Sequence, residues 1–214
     1  MEIDRIENTP NRLYSLKRIQ YKLGLRLLSE IIKDESVKKV LDIGCGLGEF
    51  AGILRDNGKE VICIDGFDEY YKFVLSKKFE SYRVNLEREK IPLKDNSIDL
   101  VVSLEVIEHL WNTDNYLTEI KRLLKPDGYA LFTTINYNWL IYRIYHLFGN
   151  FEKFTYKSRH KKFYTIRSFI EELKNYFKIK QCLGIIALPK VSVINKKFIN
   201  LLSVDAGVLC QKKN

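Results

Sequence analysis

Val40-Leu41-Asp42-Ile43-Gly44-Cys45-Gly46-Leu47-Gly48-Glu49-Phe50 is the stretch that decides the fold. An apolar run over 37–43 feeds a glycine turn, and a helical pattern begins at about Glu49. Gly44 and Gly46 permit positive φ and let a ligand approach the backbone closely. The N–H groups of such a turn, and of the helix start behind it, face one point. Glycine punctuation after a buried strand is also an ordinary structural device, so the turn needs a second signal.

Asp65 supplies that signal. It ends the next apolar run, over 61–64, and stands 23 residues after Asp42. A carboxylate there lies at the C-terminal edge of an open sheet, where such folds bind ligands. It can accept both hydroxyls of a ribose. An absence sharpens the reading. A dinucleotide fingerprint GxGxxG has a third glycine where this chain has Glu49,. Nor is there a GxxxxGK[ST] phosphate loop.

Working outward, the apolar rhythm of Leu13, Leu16, Ile19, Leu23, Leu27 and Ile31 predicts a helix over 11–33,. A helix from Glu49 stops at Asn57-Gly58, and another fits 68–78. Strands are expected over 80–84, 98–104 and 129–135, and a helix over 114–124 with Asp114 as its N-cap. Five strands alternating with helices read as βαβ units, and right-handed crossovers make the sheet doubly wound. Beyond 136, helices are expected near 139–148 and 166–176, with two final strands near 178–186 and 203–212.

The composition sets outer limits. The chain has 214 residues, 36 Lys and Arg against 27 Asp and Glu, and a net charge of +9. An apolar share of 46% excludes a disordered chain,. No apolar run reaches the ~20 residues of a membrane helix. The polar, acidic first ten residues do not resemble a secretory signal. Cys45, Cys63, Cys182 and Cys210 make no CxxC pair, so zinc-ribbon and thioredoxin readings fail,. Free buried thiols and a cytoplasmic location are the expectation. The positive charge is met first by solvated helix faces, and second by an acidic partner such as nucleic acid, anionic lipid or a phosphorylated substrate.

Four segments in correct order carry a resemblance to class I S-adenosylmethionine-dependent methyltransferases. Asp42-Ile43-Gly44-Cys45-Gly46-Leu47-Gly48 resembles their first motif, and Asp65 their ribose-binding acid. Leu93-Lys94-Asp95-Asn96-Ser97-Ile98-Asp99-Leu100-Val101 resembles the strand-four motif of the type 11 members. Leu123-Leu124-Lys125-Pro126-Asp127-Gly128 resembles the turn before strand five. His160-Lys161-Lys162-Phe163-Tyr164-Thr165 resembles their later HxRFFT segment. The resemblance implies a Rossmann-like, doubly wound, seven-stranded and mostly parallel sheet, helices on both faces, and an antiparallel last strand. It implies one methyltransferase domain over 1–214, with an N-terminal helical region (1–35), an acceptor lid (137–164) and an irregular insertion (188–202).

The resemblance also implies roles. S-adenosylmethionine is the implied cofactor. Asp42 would orient the glycine turn or meet the amino-acid end of the cofactor, and Gly44, Cys45 and Gly46 would line its methionine and ribose. Asp65 would take the ribose hydroxyls, with Gly66 and Phe67 beside the adenine. Asn85 stands where many members carry Asp, and Leu86 would offer a backbone N–H to the ring. Ser103 and Leu104 would lie beneath the methionine moiety.

The catalytic candidates follow strand four directly: Glu105, Glu108 and His109. A histidine there suits a base near neutral pH, and the same residues suit a loop scaffold. No metal ligand is assigned. The alternative, carried by a resemblance of Glu-x-x-Glu-His to metal-assisted RNA 2′-O-methyltransferases and ubiquinone-pathway O-methyltransferases, is a divalent ion. Glu105 and Glu108 would share a helical turn, with His160 as a distant ligand. The reading is O-methylation of a small, lipid-linked or glycan-linked acceptor. Its rivals are RNA methylation, a catalytically silent cofactor-binding module, and a dinucleotide oxidoreductase, which Glu49 disfavours.

Overall fold

The computed structural model describes residues 12–149, 160–188 and 191–213. Helix α1 (Arg12–Leu28) leads to β1 (Lys39–Ile43), α2 (Glu49–Asp56), β2 (Glu60–Asp65), α3 (Asp68–Ser76) and β3 (Glu80–Arg83). Then follow β4 (Ile98–Leu104), a 3₁₀ turn (Ile107–His109), α4 (Thr113–Leu123), β5 (Leu124–Ile135) and α5 (Leu140–Leu147). The chain closes with α6 (Ile166–Lys174), β6 (Phe177–Leu188), β7 (Val191–Asn195), α7 (Ile199–Leu202) and β8 (Asp205–Lys212).

The strands form one sheet in the order β3-β2-β1-β4-β5-β8-β6-β7. β1 pairs in parallel with β2 and β4, β2 with β3, and β4 with β5. β8 inserts antiparallel between β5 and β6. The doubly wound class and the antiparallel last strand stand as expected. The sheet has eight strands rather than seven, because the stretch read as irregular supplies β7, which hairpins onto β6. Its pattern, Val191-Ser192-Val193-Ile194, is short and sits between Pro189 and two lysines, which hid it.

Central strands β1 and β4 are buried almost throughout, as a parallel sheet covered on both faces requires,. One core face packs α4 and α6 through Tyr116, Leu117, Ile120, Phe169 and Leu173. The other packs α1, α2 and α3 through Leu23, Leu27, Phe50, Leu54 and Val74. Helix α1 lies so close to β8 that a Cβ on Gly207 would meet Leu27 at 2.6 Å.

Two helices, α4 and α6, start on side-chain caps,. The α4 cap is Asn112, whose Oδ1 accepts from the N–H groups of Asp114 and Asn115, rather than Asp114 as the sequence suggested. Asp114 instead accepts from the Tyr176 hydroxyl at 2.6 Å. Thr165 and Ser168 form a reciprocal box at the start of α6,. Of the 137–164 segment expected as a lid, 150–159 lie outside the described residues. Among those described, no helix is long and apolar enough to cross a membrane.

Candidate functional site

Two tight turns at the C-terminal edge of β1 and β2 build the first half of the site. Gly44 and Gly46 adopt φ of 70° and 53°, a conformation costly for residues bearing a Cβ. Gly44 also has no room: a Cβ there would sit 2.3 Å from Cγ2 of Val106. Asp65 braces the turns. Its Oδ2 accepts from the Gly46 N–H at 3.0 Å and its Oδ1 from the Phe67 N–H at 2.9 Å. Burial raises the Asp65 pKa, and these N–H groups partly offset the rise.

Asp42 ends β1 near the start of α2, where the Ala51 N–H favours its charged form. Its Oδ2 is buried without a hydrogen-bond partner. Burial, then the nearby Asp65 charge, pushes its pKa up to about 8.

A cleft of about 640 Å³ opens over these turns. Asp42, Gly44, Cys45, Gly46, Asp65, Gly66, Phe67, Asn85, Leu86 and Leu104 line it, together with Glu105 and His109. Two sequence candidates stand elsewhere. Ser103 is buried below the floor, its hydroxyl bonded by Tyr116 at 2.6 Å. Glu108 is fully buried behind the wall. Asn85 uses its side-chain oxygen within its own turn, accepting from the Glu87 N–H at 3.1 Å.

The lining also includes Gln20, Tyr21, Phe50, Tyr70, Glu87, Val106, Leu110 and Lys161, which the motif reading passed over. Tyr21 donates to Glu49 at 2.9 Å, pinning α1 against α2 beside the cleft. Glu49, noted only as a departure from the dinucleotide pattern, is therefore the anchor of a wall residue. Four carboxylates line the cleft, those of Asp42, Asp65, Glu87 and Glu105. Lys161 lines it too, and burial holds Asp42 and Glu105 above the usual carboxylate range.

The second half of the site lies where β4 ends. Glu105 is in the left-handed region at φ 56°, an uncommon state for a side-chain-bearing residue. The β5 residue Thr133 holds it: the Glu105 N–H donates to Thr133 Oγ1 at 3.1 Å, and that hydroxyl donates to Glu105 Oε1 at 2.9 Å. The expectation of one helical turn from Glu105 to Glu108 is therefore corrected. The 3₁₀ turn begins only at Ile107, and the strained turn at Glu105 brings the two carboxyls together.

Burial and the Glu108 charge hold the Glu105 carboxyl well above the usual range. Burial raises Glu108 to about 7. Glu105 and Thr134 act on the Glu108 carboxyl, yet neither of its oxygens has a partner in hydrogen-bond geometry. Asp205, opening β8, is a further buried acid beside these two, raised well above its ordinary value by burial and by Glu105. No motif pointed to it.

His160 comes from the chain returning toward α6. Its ring centroid is 4.8 Å from that of His109. The Tyr137 hydroxyl lies 2.5 Å from His160 Nδ1. Burial, then His109, lowers the His160 pKa to about 4, so the ring is neutral at physiological pH. The N–H groups of Lys161 and Lys162 both donate to the Glu108 carbonyl, at 2.8 and 3.1 Å. This arrangement gathers one donor atom each from Glu108, His109 and His160 within 4.8 Å of one another.

Comparison with known proteins follows the same lines. The family model described as "Methyltransferase domain" matches residues 15–176. A protein of Mycolicibacterium smegmatis named as an S-adenosylmethionine-dependent methyltransferase is 35% identical over 46% of the chain and 38% of that relative. A ubiquinone biosynthesis O-methyltransferase of Rickettsia canadensis is 30% identical over 58% of the chain and 54% of the relative. The matches thus span about a third to a half of these relatives' lengths. Among solved structures, an S-adenosylmethionine-dependent methyltransferase from Thermotoga maritima superposes with a TM-score of 0.71 at 17% identity, covering 99% of this chain and 97% of that one. At that identity the likeness speaks for the fold alone.

Proposed function

The chain belongs to the methyltransferase-domain family of class I S-adenosylmethionine-dependent methyltransferases, and on that premise we propose that it methylates a hydroxyl oxygen of a small or lipid-linked acceptor. One observation carries the cofactor half of this reading. Asp65 ends β2 facing the glycine turn, in a cleft lined by Asp42 and Glu105. S-adenosylmethionine, when bound, supplies an electrophilic methyl group on a sulfonium cation. The unpartnered Oδ2 of Asp42 fits an ammonium donor. The turn N–H groups and Asp65 fit a ribose.

The oxygen half rests on His109. It lines the cleft beyond the β4 end, where an acceptor hydroxyl would sit. An imidazole there serves as the base that takes the hydroxyl proton as the oxygen becomes nucleophilic, an effect typically worth 10²–10⁴-fold. The rest of the work is alignment, beside the apolar wall residues Val106 and Leu110,. The ubiquinone O-methyltransferases among the relatives support oxygen as the acceptor atom.

A second reading has its own observation: the convergence of Glu108, His109 and His160. A buried carboxylate with two unpartnered oxygens beside two imidazoles is a donor set that fits a divalent ion,. Such an ion, when bound, lowers the pKa of an acceptor hydroxyl. In that case Glu108, His109 and His160 hold it, while Glu105 stays on Thr133.

Calorimetric titration with S-adenosylhomocysteine, on wild type and Asp65→Ala, tests the first half. Micromolar binding that Asp65→Ala abolishes is the expected result, and binding indifferent to Asp65 overturns it. Turnover on a panel of hydroxyl and amine acceptors, with and without chelator, tests the second. Cofactor binding without turnover on any acceptor would leave a silent binding module.

A further inference from the structure

Glu87 gathers separate stretches of chain onto one carboxylate. Its Oε1 accepts from the N–H groups of Trp111 and Asn112, at 2.5 and 3.1 Å, just before α4 begins. Its Oε2 meets Lys161 Nζ at 3.6 Å, on the segment that carries His160. Its own N–H donates to Asn85 Oδ1 at 3.1 Å, and Leu86 precedes it in the chain. Asn85, Leu86, Glu87 and Lys161 all line the cleft. Burial by itself would raise the Glu87 carboxyl. The two N–H groups and Lys161 outweigh that effect and hold the group below its ordinary range. It is an anion at neutral pH with both oxygens engaged. An amide in its place would offer one accepting oxygen and turn an NH₂ toward the Lys161 ammonium.

The joined stretches are also pinned from behind. The Leu86 carbonyl accepts from Asn115 Nδ2 at 2.9 Å, which fixes the 85–87 loop to α4. The Lys161 N–H donates to the Glu108 carbonyl at 2.8 Å, and its ammonium lies 5.8 Å from the centre of the Trp111 ring. His160 is next in the chain to Lys161, and its ring neighbours that of His109. One carboxylate therefore connects the loop assigned above to the adenine with the histidine pair assigned to the acceptor side. We propose that Glu87 is a positioning residue that sets the cofactor loop and the His160 segment against one another, so that a ligand held by one is felt at the other. The ion pair is partly exposed and contributes little to stability,. Its consequence is placement, and the coupling it carries is reciprocal. The inference rests on the cofactor reading of the cleft.

The experiment compares wild type, Glu87→Gln, Lys161→Met and the double variant. S-adenosylhomocysteine affinity is read by calorimetry, and the His109 and His160 ring resonances by nuclear magnetic resonance, free and with ligand. Lys161→Met breaks the ion pair and keeps the backbone bond to Glu108, so it decides alone should Glu87→Gln unfold. In wild type, ligand binding should shift the His160 resonance. Each single variant should lose at least about half of that shift and bind about three- to fivefold more weakly, with no further loss in the double. Lys161→Arg keeps the cation and should restore both. A His160 resonance that ignores the ligand in wild type overturns the proposal, as does a response that survives both single variants, or losses that add. If wild type fails to bind S-adenosylhomocysteine, the cofactor reading falls and the junction is judged in the free protein. There Glu87→Gln must itself move the His160 resonance, and an unmoved resonance overturns the positioning role.

Discussion

Replacing Gly44 by alanine perturbs the turn in two separable ways. The left-handed conformation at φ 70° costs an alanine about 1–2 kcal/mol,. The new Cβ would lie 2.3 Å from Cγ2 of Val106, well inside contact distance. Val106 is β-branched and stiff about χ1, so it cannot swing aside freely. Overpacking of this kind costs about 1–3 kcal/mol. The single variant should therefore lose about 2–5 kcal/mol in urea unfolding, and its S-adenosylhomocysteine affinity should fall with the distorted turn. Val106→Ala removes the atom that clashes. In the double variant the overpacking vanishes while the dihedral cost remains, so the cycle should show a favourable coupling of about 1–3 kcal/mol. Gly44→Ala costing under about 1 kcal/mol, or two substitutions that simply add, would refute the argument from this contact.

Asp42→Asn tests the buried acid at the turn. Its pKa is about 8 when folded and near 4 when unfolded, so the folded state holds its proton longer,. Stability from this residue is present below pH 4 and declines as pH rises to 8. The asparagine variant should therefore gain on wild type between pH 5 and 8, by at most about 5 kcal/mol, read as melting temperatures across that range; a pH-independent difference would contradict it. Arg122 joins Glu119 and Asp95 to the carbonyls of Ile91 and Leu93. Arg122→Ala strands the poorly exposed Glu119 and should cost about 3 kcal/mol at pH 7 in urea unfolding,. Because Arg122 holds Glu119 below the usual carboxylate range, that loss should shrink as acid protonates Glu119,. Tyr137→Phe removes the hydroxyl that fixes the His160 ring. If the three donors hold a divalent ion, Mn²⁺ affinity measured by calorimetry should drop about tenfold, with melting temperature nearly unchanged,.

The fold was legible because its decisive signals are local. The stretch around Gly44 and the end of β2 at Asp65 carry their geometry in adjacent residues, and β4 matched its predicted bounds at Ile98–Leu104. The glycine-turn side of the cleft followed for the same reason. What escaped depends on distance along the chain. Asp205 reaches Glu105 only because β8 inserts beside β5, and nothing near Asp205 in sequence announces that pairing. Tyr21 joins the cleft through Glu49, 28 positions away. The left-handed Glu105 is set by Thr133 of the neighbouring strand, so a helical reading of Glu-x-x-Glu was natural and wrong in its geometry.

The two backbone bonds from Lys161 and Lys162 to the Glu108 carbonyl join stretches of chain some fifty positions apart. His160 travels with one stretch, Glu108 and His109 with the other. Lifting the 160–162 segment would break both bonds and carry His160 away from its two neighbours in the same movement. Opening the site and dismantling its donor set are then a single event.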